Sequence, residues 1–188
     1  MLRGFSFLLT AMVLLSCNNK QKTLSEEEKE ALMLLGDSIS VKMQNVLLQN
    51  LAGVIQKGGT DYAVEFCNVK AMPLTDSIAD NLKVYIQRLS DKNRNPNNAI
   101  QTQTDSIAWE KVKSEKTGFI REDKNGEVYF YKPIFIAMPT CLKCHGGNTD
   151  IIESTKKIIV KKYPSDKAIG YSIGDLRGMW KIKLKERQ

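Results

Sequence analysis

Cys141-Leu142-Lys143-Cys144-His145 sets two thiols three positions apart, with an imidazole directly after the second. This C-x-x-C-H spacing is the attachment sequence of c-type haem. Two thiols so placed can add to the two vinyl groups of one porphyrin, and the adjoining His then lies below the iron as proximal ligand. Gly146 and Gly147 follow, and without side chains they let the backbone pass close to a macrocycle. Other chemistries use the same residue types. A thioredoxin-like redox dithiol wants a βαβ context and gives His145 no role. A structural zinc site needs four ligands, and beyond Cys17 the chain offers only one more thiol, Cys67. A Cys141–Cys144 disulfide closes a very small loop and stabilises little. Haem leads, with the redox dithiol as runner-up.

The compartment bears on that choice. Residues 1–16 open with Arg3, carry the nearly unbroken apolar run Phe5 to Leu15 and close on Leu14-Leu15-Ser16-Cys17, which is the layout of an export signal. An apolar run of eleven residues falls short of the roughly 20 that span a hydrocarbon core, so cleavage is expected rather than a permanent anchor. The Leu-Leu-Ser-Cys end resembles the lipobox of bacterial lipoproteins, whose Cys is diacylated and becomes the new N-terminus. Cys17 is then the lipid-bearing residue and residues 17–24 a short tether. The alternative is an ordinary secretory signal with an incidental Cys. The expected location is the periplasmic side of a bacterial membrane, held there by lipid. Covalent haem attachment takes place outside the cytoplasm, so export favours the haem reading.

His145 is the single His of the 188 residues, which excludes bis-His ligation and any scheme needing two imidazoles. The candidates for the other axial position are Cys67, a Met such as Met72, Met138 or Met179, a Lys, a Tyr or water. A buried Met is more often core filler, and a buried free Cys is ordinarily an inert hydrophobe. Cys67, however, has no partner thiol once Cys17 is acylated and Cys141 and Cys144 are thioethers. A lone thiol in an oxidising compartment asks for a reason. Axial ligation supplies one, because ferric iron depresses the thiol pKa and holds it as thiolate. On the residues alone both readings of Cys67 stay open.

The elements that must position these groups follow from the periodicity. Ser25 with Glu28 is a capping-box signature, and Leu32, Leu35, Ile39, Met43, Val46, Leu47, Leu51, Val54 and Ile55 recur at three- and four-residue steps, predicting one long amphipathic helix. It should end at Gly58-Gly59, with Thr60 or Asp61 capping a second helix through Ala63, Val64 and Cys67 toward Met72-Pro73. Pro73 should stop or kink that helix, although Leu74 to Leu82 can extend it. Val84 to Leu89 reads as a strand, Asp91 to Asn98 as a loop, and Ile107, Ala108 and Val112 as a short helix carrying Trp109. Thr117 to Ile120 and Glu127 to Ile136 form a hairpin around Asn125-Gly126. Ile151 to Lys162 reads as a helix, and Ala168 to Ser172 and Met179 to Lys185 as a last strand pair. The fold class is α+β, in one domain over residues 25–188.

Composition agrees, since 42% hydrophobic and 26% charged residues suit a packed chain rather than a disordered one. Loss of residues 1–16 removes Arg3 and no acid, taking the formal charge from +7 to +6. Acids are interspersed among the basic residues except at Lys156-Lys157, Lys161-Lys162 and Lys181 to Arg187. With neither a basic stripe nor a recognition motif, nucleic acid is not an expected partner. Solvated surface is the plain reading of these lysines, and attraction to anionic lipid or an acidic redox partner is the lesser one.

Three segments carry a family resemblance: Phe66-Cys67-Asn68-Val69-Lys70-Ala71-Met72-Pro73, Cys141 to His145 with Gly146, and Tyr163 to Trp180, which reads YPSDKAIGYSIGDLRGMW. In these the chain resembles the PAS-like c-type haem domains, seen alone in cyanobacteria and as extracytoplasmic sensor modules of signalling proteins. The resemblance implies an antiparallel sheet of about five strands with long N-terminal helices. It also implies one covalent haem c, with Cys141 and Cys144 as thioethers, His145 as proximal ligand and Cys67 as distal ligand. The sensor members carry output segments after the haem domain. None follows residue 188, so signalling is expected to pass to a separate protein.

A thiolate donor favours ferric iron and a low potential. Reduction is expected to loosen Cys67 and open a site for a diatomic gas. The expected function is a haem-based redox or gas sensor, with a small electron-transfer cytochrome as the alternative and a thiol redox protein as the remote one. An enzyme is not expected, since a peroxidase wants a distal base, usually a second His. Arg177, Lys70, Tyr171 and Trp109 are read either as pocket lining or as ordinary packing. The expected partners are the lipid membrane through Cys17, a redox or signalling protein, and a second copy through the N-terminal helix.

Overall fold

A computed structural model describes residues 24–185. The export signal, Cys17 and all of the tether but Leu24 lie outside the described residues. The capping box at Ser25 is made: its hydroxyl accepts from the Glu28 amide while the Glu28 carboxylate accepts from the Ser25 amide. Helix α1 then runs over Glu26–Leu82. Gly58 and Gly59 alone leave helical geometry within it, Gly59 at φ 70 and ψ −167, a region open essentially to glycine. The break divides α1 into two arms. Ile39 and Met43 of the first arm and Ala79 of the second pack together on Ile86, Phe130, Trp180 and Ile182, so the second arm returns beside the first. Gly36 lets the helix lie directly on the sheet, because a Cβ there would stand 2.3 Å from the Phe130 ring.

The sheet has four strands, β1 (Tyr85–Leu89), β2 (Phe119–Glu122), β3 (Val128–Phe135) and β4 (Leu176–Lys185). All pairings are antiparallel in the order β1-β4-β3-β2, so the last strand in sequence lies between β1 and β3. The Asn125-Gly126 turn joins β2 to β3, with Gly126 at φ 79 and the Asp123 carboxylate accepting from the Asn125 and Glu127 amides. Helix α2 (Gln103–Glu115) covers the other face, where Ala108, Trp109 and Val112 meet Leu89, Phe119, Tyr131 and Met179. Two short helices, α3 (Pro139–His145) and α4 (Glu153–Lys162), occupy the connection from β3 to β4. Among the described residues no helix is long and apolar enough to cross a membrane.

The α+β class stands, with two corrections. The sheet holds four strands and not about five, because Ala168 to Ser172 forms no strand. The Gly170 and Tyr171 amides donate to the carbonyls of Gly146 and His145, so this segment spends its hydrogen bonds on the end of α3. Pro73 does not stop the second arm, which continues helically to Leu82. Pro73 is exposed, so water can reach the carbonyl its missing N–H leaves free, and the Thr75 hydroxyl donates to the neighbouring Ala71 carbonyl.

Candidate functional site

The C-x-x-C-H residues form a helix of their own. Pro139 sits at the first turn of α3, where its fixed φ is favourable and its missing N–H costs nothing. Three-residue spacing then puts Cys141 and Cys144 on one side of the helix. Cys141 packs against Ile136, Ala168 and Tyr171, and Cys144 against Val64, Ile151, Ile159 and Tyr163. Gly146 ends the helix with its amide on the Leu142 carbonyl at 2.8 Å. A Cβ there would come within 2.6 Å of Asp150, whose carboxylate takes the Gly147 amide at 2.7 Å.

His145 is fixed from behind. Its Nδ1–H donates to the Ala168 carbonyl at 2.8 Å, which leaves the Nε2 lone pair free, as a ligating imidazole requires. The Tyr171 ring meets His145 edge-on, with centroids 6.3 Å apart. The Arg94 guanidinium ties this region together, donating to the Cys144 carbonyl at 2.6 Å, the Asp166 carboxylate at 3.0 Å and the Ala168 carbonyl at 3.3 Å. Burial, with the charges of Arg94 and Arg177, holds His145 well below the usual imidazole range, so the ring stays neutral and able to donate its lone pair.

A cavity of about 250 Å³ lies between the two arms of α1, the sheet edge at β1 and α3. Its walls include Leu47, Leu51, Val64 and Leu74 of α1, Leu89 of β1 and Ile134 of β3. Cys67, Cys141, Cys144 and His145 all border it, and none of the three cysteines is paired in a disulfide. Among the described residues no three His, Cys, Asp or Glu side chains converge closely enough to hold a metal ion. The four soft donors therefore surround a space and do not meet at a point. Burial pushes the Cys67 and Cys144 thiols up, against a smaller opposing pull from nearby arginines.

Of the other residues singled out in the sequence, Arg177 borders the cavity. Lys70 is exposed, and Trp109 packs on the α2 face of the sheet. Met72, Met138 and Met179 are absent from the cavity wall; Met138 is exposed, and Met179 is fully buried beside Trp109.

Two cavity residues escaped the sequence reading. Arg88 stands on β1 two positions after the buried Ile86, so the strand alternation turns a guanidinium toward an apolar face. That parity was a readable signal. Arg94 lies in an Asn- and Pro-rich loop, and nothing local marks it. Arg94 has Asp166 as counter-ion, whereas among the described residues neither Arg88 nor Arg177 has a carboxylate in salt-bridge range. Arg88 lies over the Trp180 ring at 5.9 Å. Arg177 donates to the Lys92 carbonyl, and its Nε is buried with no partner. Burial lowers both guanidinium pKa values from the usual arginine range, the electrostatic cost of a cation without an anion beside it.

Among curated proteins none matches this chain. Among solved structures, the crystal structure of the cyanobacterial heme-protein Tll0287 is similar at 28% sequence identity and a TM-score of 0.58, over 79% of this chain and 94% of that one. The model of the Tll0287-like family matches residues 17–184, which takes in both arms of α1, all of the sheet but the last residue of β4 and every residue of the cavity, and the chain belongs to that family.

Proposed function

We propose that this protein is an extracytoplasmic, lipid-anchored monohaem c-type cytochrome that acts as a haem-based redox or gas sensor. The observation that carries the reading is that Cys141, Cys144, His145 and Cys67 border one and the same cavity. The family tie to a heme protein supports the cofactor class. Haem bound there would supply a one-electron couple and an iron with two axial positions.

The residues present fit such a group. The apolar walls suit a macrocycle, two thiols on one side of α3 suit two thioether links, and His145 offers an oriented Nε2. The orphaned Nε of Arg177 and the counter-ion-free Arg88 suit a ligand that brings anions. In this reading Cys141 and Cys144 hold the group covalently, His145 is the proximal ligand and Cys67 the distal one. Cys17 carries the lipid.

Cys67 favours a sensor over a carrier. Burial raises its thiol pKa, so away from a metal its sulfur keeps a proton and is neutral. A neutral thiol is a poor ligand, and a changeable ligand is what a sensor needs. We assign the chain no catalysed reaction, since its one imidazole is committed to binding and none remains for acid–base work. A second copy paired through the N-terminal helix and a separate redox or signalling protein remain the proposed routes of output.

The test is optical spectroscopy of oxidised and reduced protein, matured in a host with cytochrome c biogenesis machinery, beside Cys67→Ala. The expected result is covalent haem, a ferric spectrum that Cys67→Ala alters, and a ferrous form that binds CO. A ferrous form that keeps Cys67 and ignores CO would make it an electron carrier. Colourless protein with Cys141 and Cys144 free to alkylate would refute the haem reading and leave the thiol redox alternative.

A further inference from the structure

Charge bookkeeping in the cavity leaves two cations unbalanced. Three guanidinium groups border it, Arg88 from β1, Arg94 from the loop after β1 and Arg177 from the start of β4. Asp166 balances Arg94 at 3.0 Å. Among the described residues Arg88 has neither a salt bridge nor a hydrogen bond, only the Trp180 ring. Arg177 has the Lys92 carbonyl, the Tyr171 side chain, whose ring lies at 5.6 Å and whose hydroxyl it also bonds, no carboxylate among the described residues, and a buried Nε with no acceptor. Both side chains are half-buried at the cavity wall, and a cation held against apolar walls is costly unless something anionic completes it. The planar donor fork of arginine is matched to carboxylates.

We propose that Arg88 and Arg177 are the residues that receive the two propionate carboxylates of the porphyrin. This rests on the haem reading above and deepens it. Two unpaired guanidinium groups meet two carboxylates, so the loaded cavity becomes charge-balanced. The same pairing sets the electrostatic environment of the iron, because a cation held in a low-dielectric wall favours the reduced, less positive metal. Both arginines stand on the strands that frame the cavity edge, β1 and β4, whose pairing is locked in the register Arg88↔Trp180. Gly178 allows that approach, since a Cβ there would meet the Leu89 carbonyl at 2.7 Å.

The experiment compares mature wild type with Arg88→Gln, Arg177→Gln and Arg88→Lys, reading the midpoint potential at pH 8 and the propionate bending bands in resonance Raman spectra. Each Gln variant is expected to keep its covalent haem, to show a lower potential and to shift the propionate bands, and Arg88→Lys is expected to restore most of the potential. Arg88 also lies near Cys67, so Arg88→Gln is repeated in the Cys67→Ala background. A potential shift that persists there supports propionate pairing. A shift that vanishes assigns Arg88 to the axial sulfur and overturns the proposal for that residue. Haem-loaded Gln variants with wild-type potentials and bands overturn it for both. If Arg88→Gln does not mature, Arg88→Lys and Arg177→Lys decide the question by the same Raman bands. Wild type lacking covalent haem would instead refute the parent reading, so the two failures are distinct.

Discussion

Arg94 joins the end of α3, the segment around Asp166 and Ala168, and its own loop through one side chain, and removing it gives a sharp test of how the site is held. The Arg94–Asp166 pair is buried, with side chains 12% and 8% exposed, so it falls outside the class of surface pairs worth about 0–1 kcal/mol. Arg94→Met strands the Asp166 carboxylate, at a cost of about 3–5 kcal/mol for breaking a buried pair from one side. The Ala168 carbonyl keeps its bond from His145, but the Cys144 carbonyl loses its 2.6 Å donor, adding about 1–3 kcal/mol. The expected loss is about 5 kcal/mol, a large share of a typical domain stability of about 5–15 kcal/mol. Asp166→Asn should cost about 3 kcal/mol. The double variant removes both charges and should lose less than the sum, with a coupling energy of about 2–3 kcal/mol. The assay is equilibrium urea unfolding followed by far-UV circular dichroism, on protein made without cytochrome maturation so that no covalent group masks the change. A loss below about 1 kcal/mol for Arg94→Met, or additivity within about 0.5 kcal/mol, would refute the reasoning.

Two further outcomes probe the fold that carries the cavity. Gly36→Ala drives a methyl into the Phe130 ring and should destabilise by about 1–3 kcal/mol; an unchanged thermal midpoint would mean that α1 does not rest on β3 as described. Tyr131 is fully buried, and burial, reinforced by its bond to Asp105 at 3.0 Å, raises its phenol pKa. A group with a raised folded pKa contributes in full below its unfolded value and loses that contribution as pH climbs toward the folded value. Stability should therefore fall above about pH 10, by up to roughly 1.4 kcal/mol per pH unit. Urea midpoints measured across that range should show the slope in wild type and a shallower one in Tyr131→Phe, and equal slopes would contradict the assignment.

What the sequence disclosed was local, and what it withheld was long-range. Ser25 and Glu28, Gly58-Gly59, and Asn125-Gly126 each act within a few residues, so the start of α1, its break and the hairpin were readable from neighbours alone. Cys141 to His145 carries its chemistry in its spacing, and the motif needed no fold to be noticed. Ala168 to Ser172 looked like a strand because extended backbone and a glycine turn look the same whichever acceptor the amides find. Here the acceptors are the His145 and Gly146 carbonyls, a tertiary choice. Arg94 and Asp166 were invisible for a related reason, since a loop residue acquires meaning only from the carbonyls and carboxylate that reach it across the fold. Arg88 lay between these cases, with its strand parity on the page but no hint of which face would border a cavity.

The place of β4 in the sheet bears on how the molecule is made. Synthesis delivers the chain from its N-terminus, yet β4, an inner strand held between β1 and β3, is the last of the four to emerge. Until it arrives β1 has no hydrogen-bonding neighbour, the apolar stripe of α1 has only half a surface to rest on, and Arg177 is missing from the rim. A ribosomal product cut short before Leu176 would thus retain the Cys141 to His145 pentapeptide while lacking the framework around it. Such a fragment would be a target for proteolysis and not a working half-protein, and assembly should be all-or-none, with the slow kinetics of distant strand pairing.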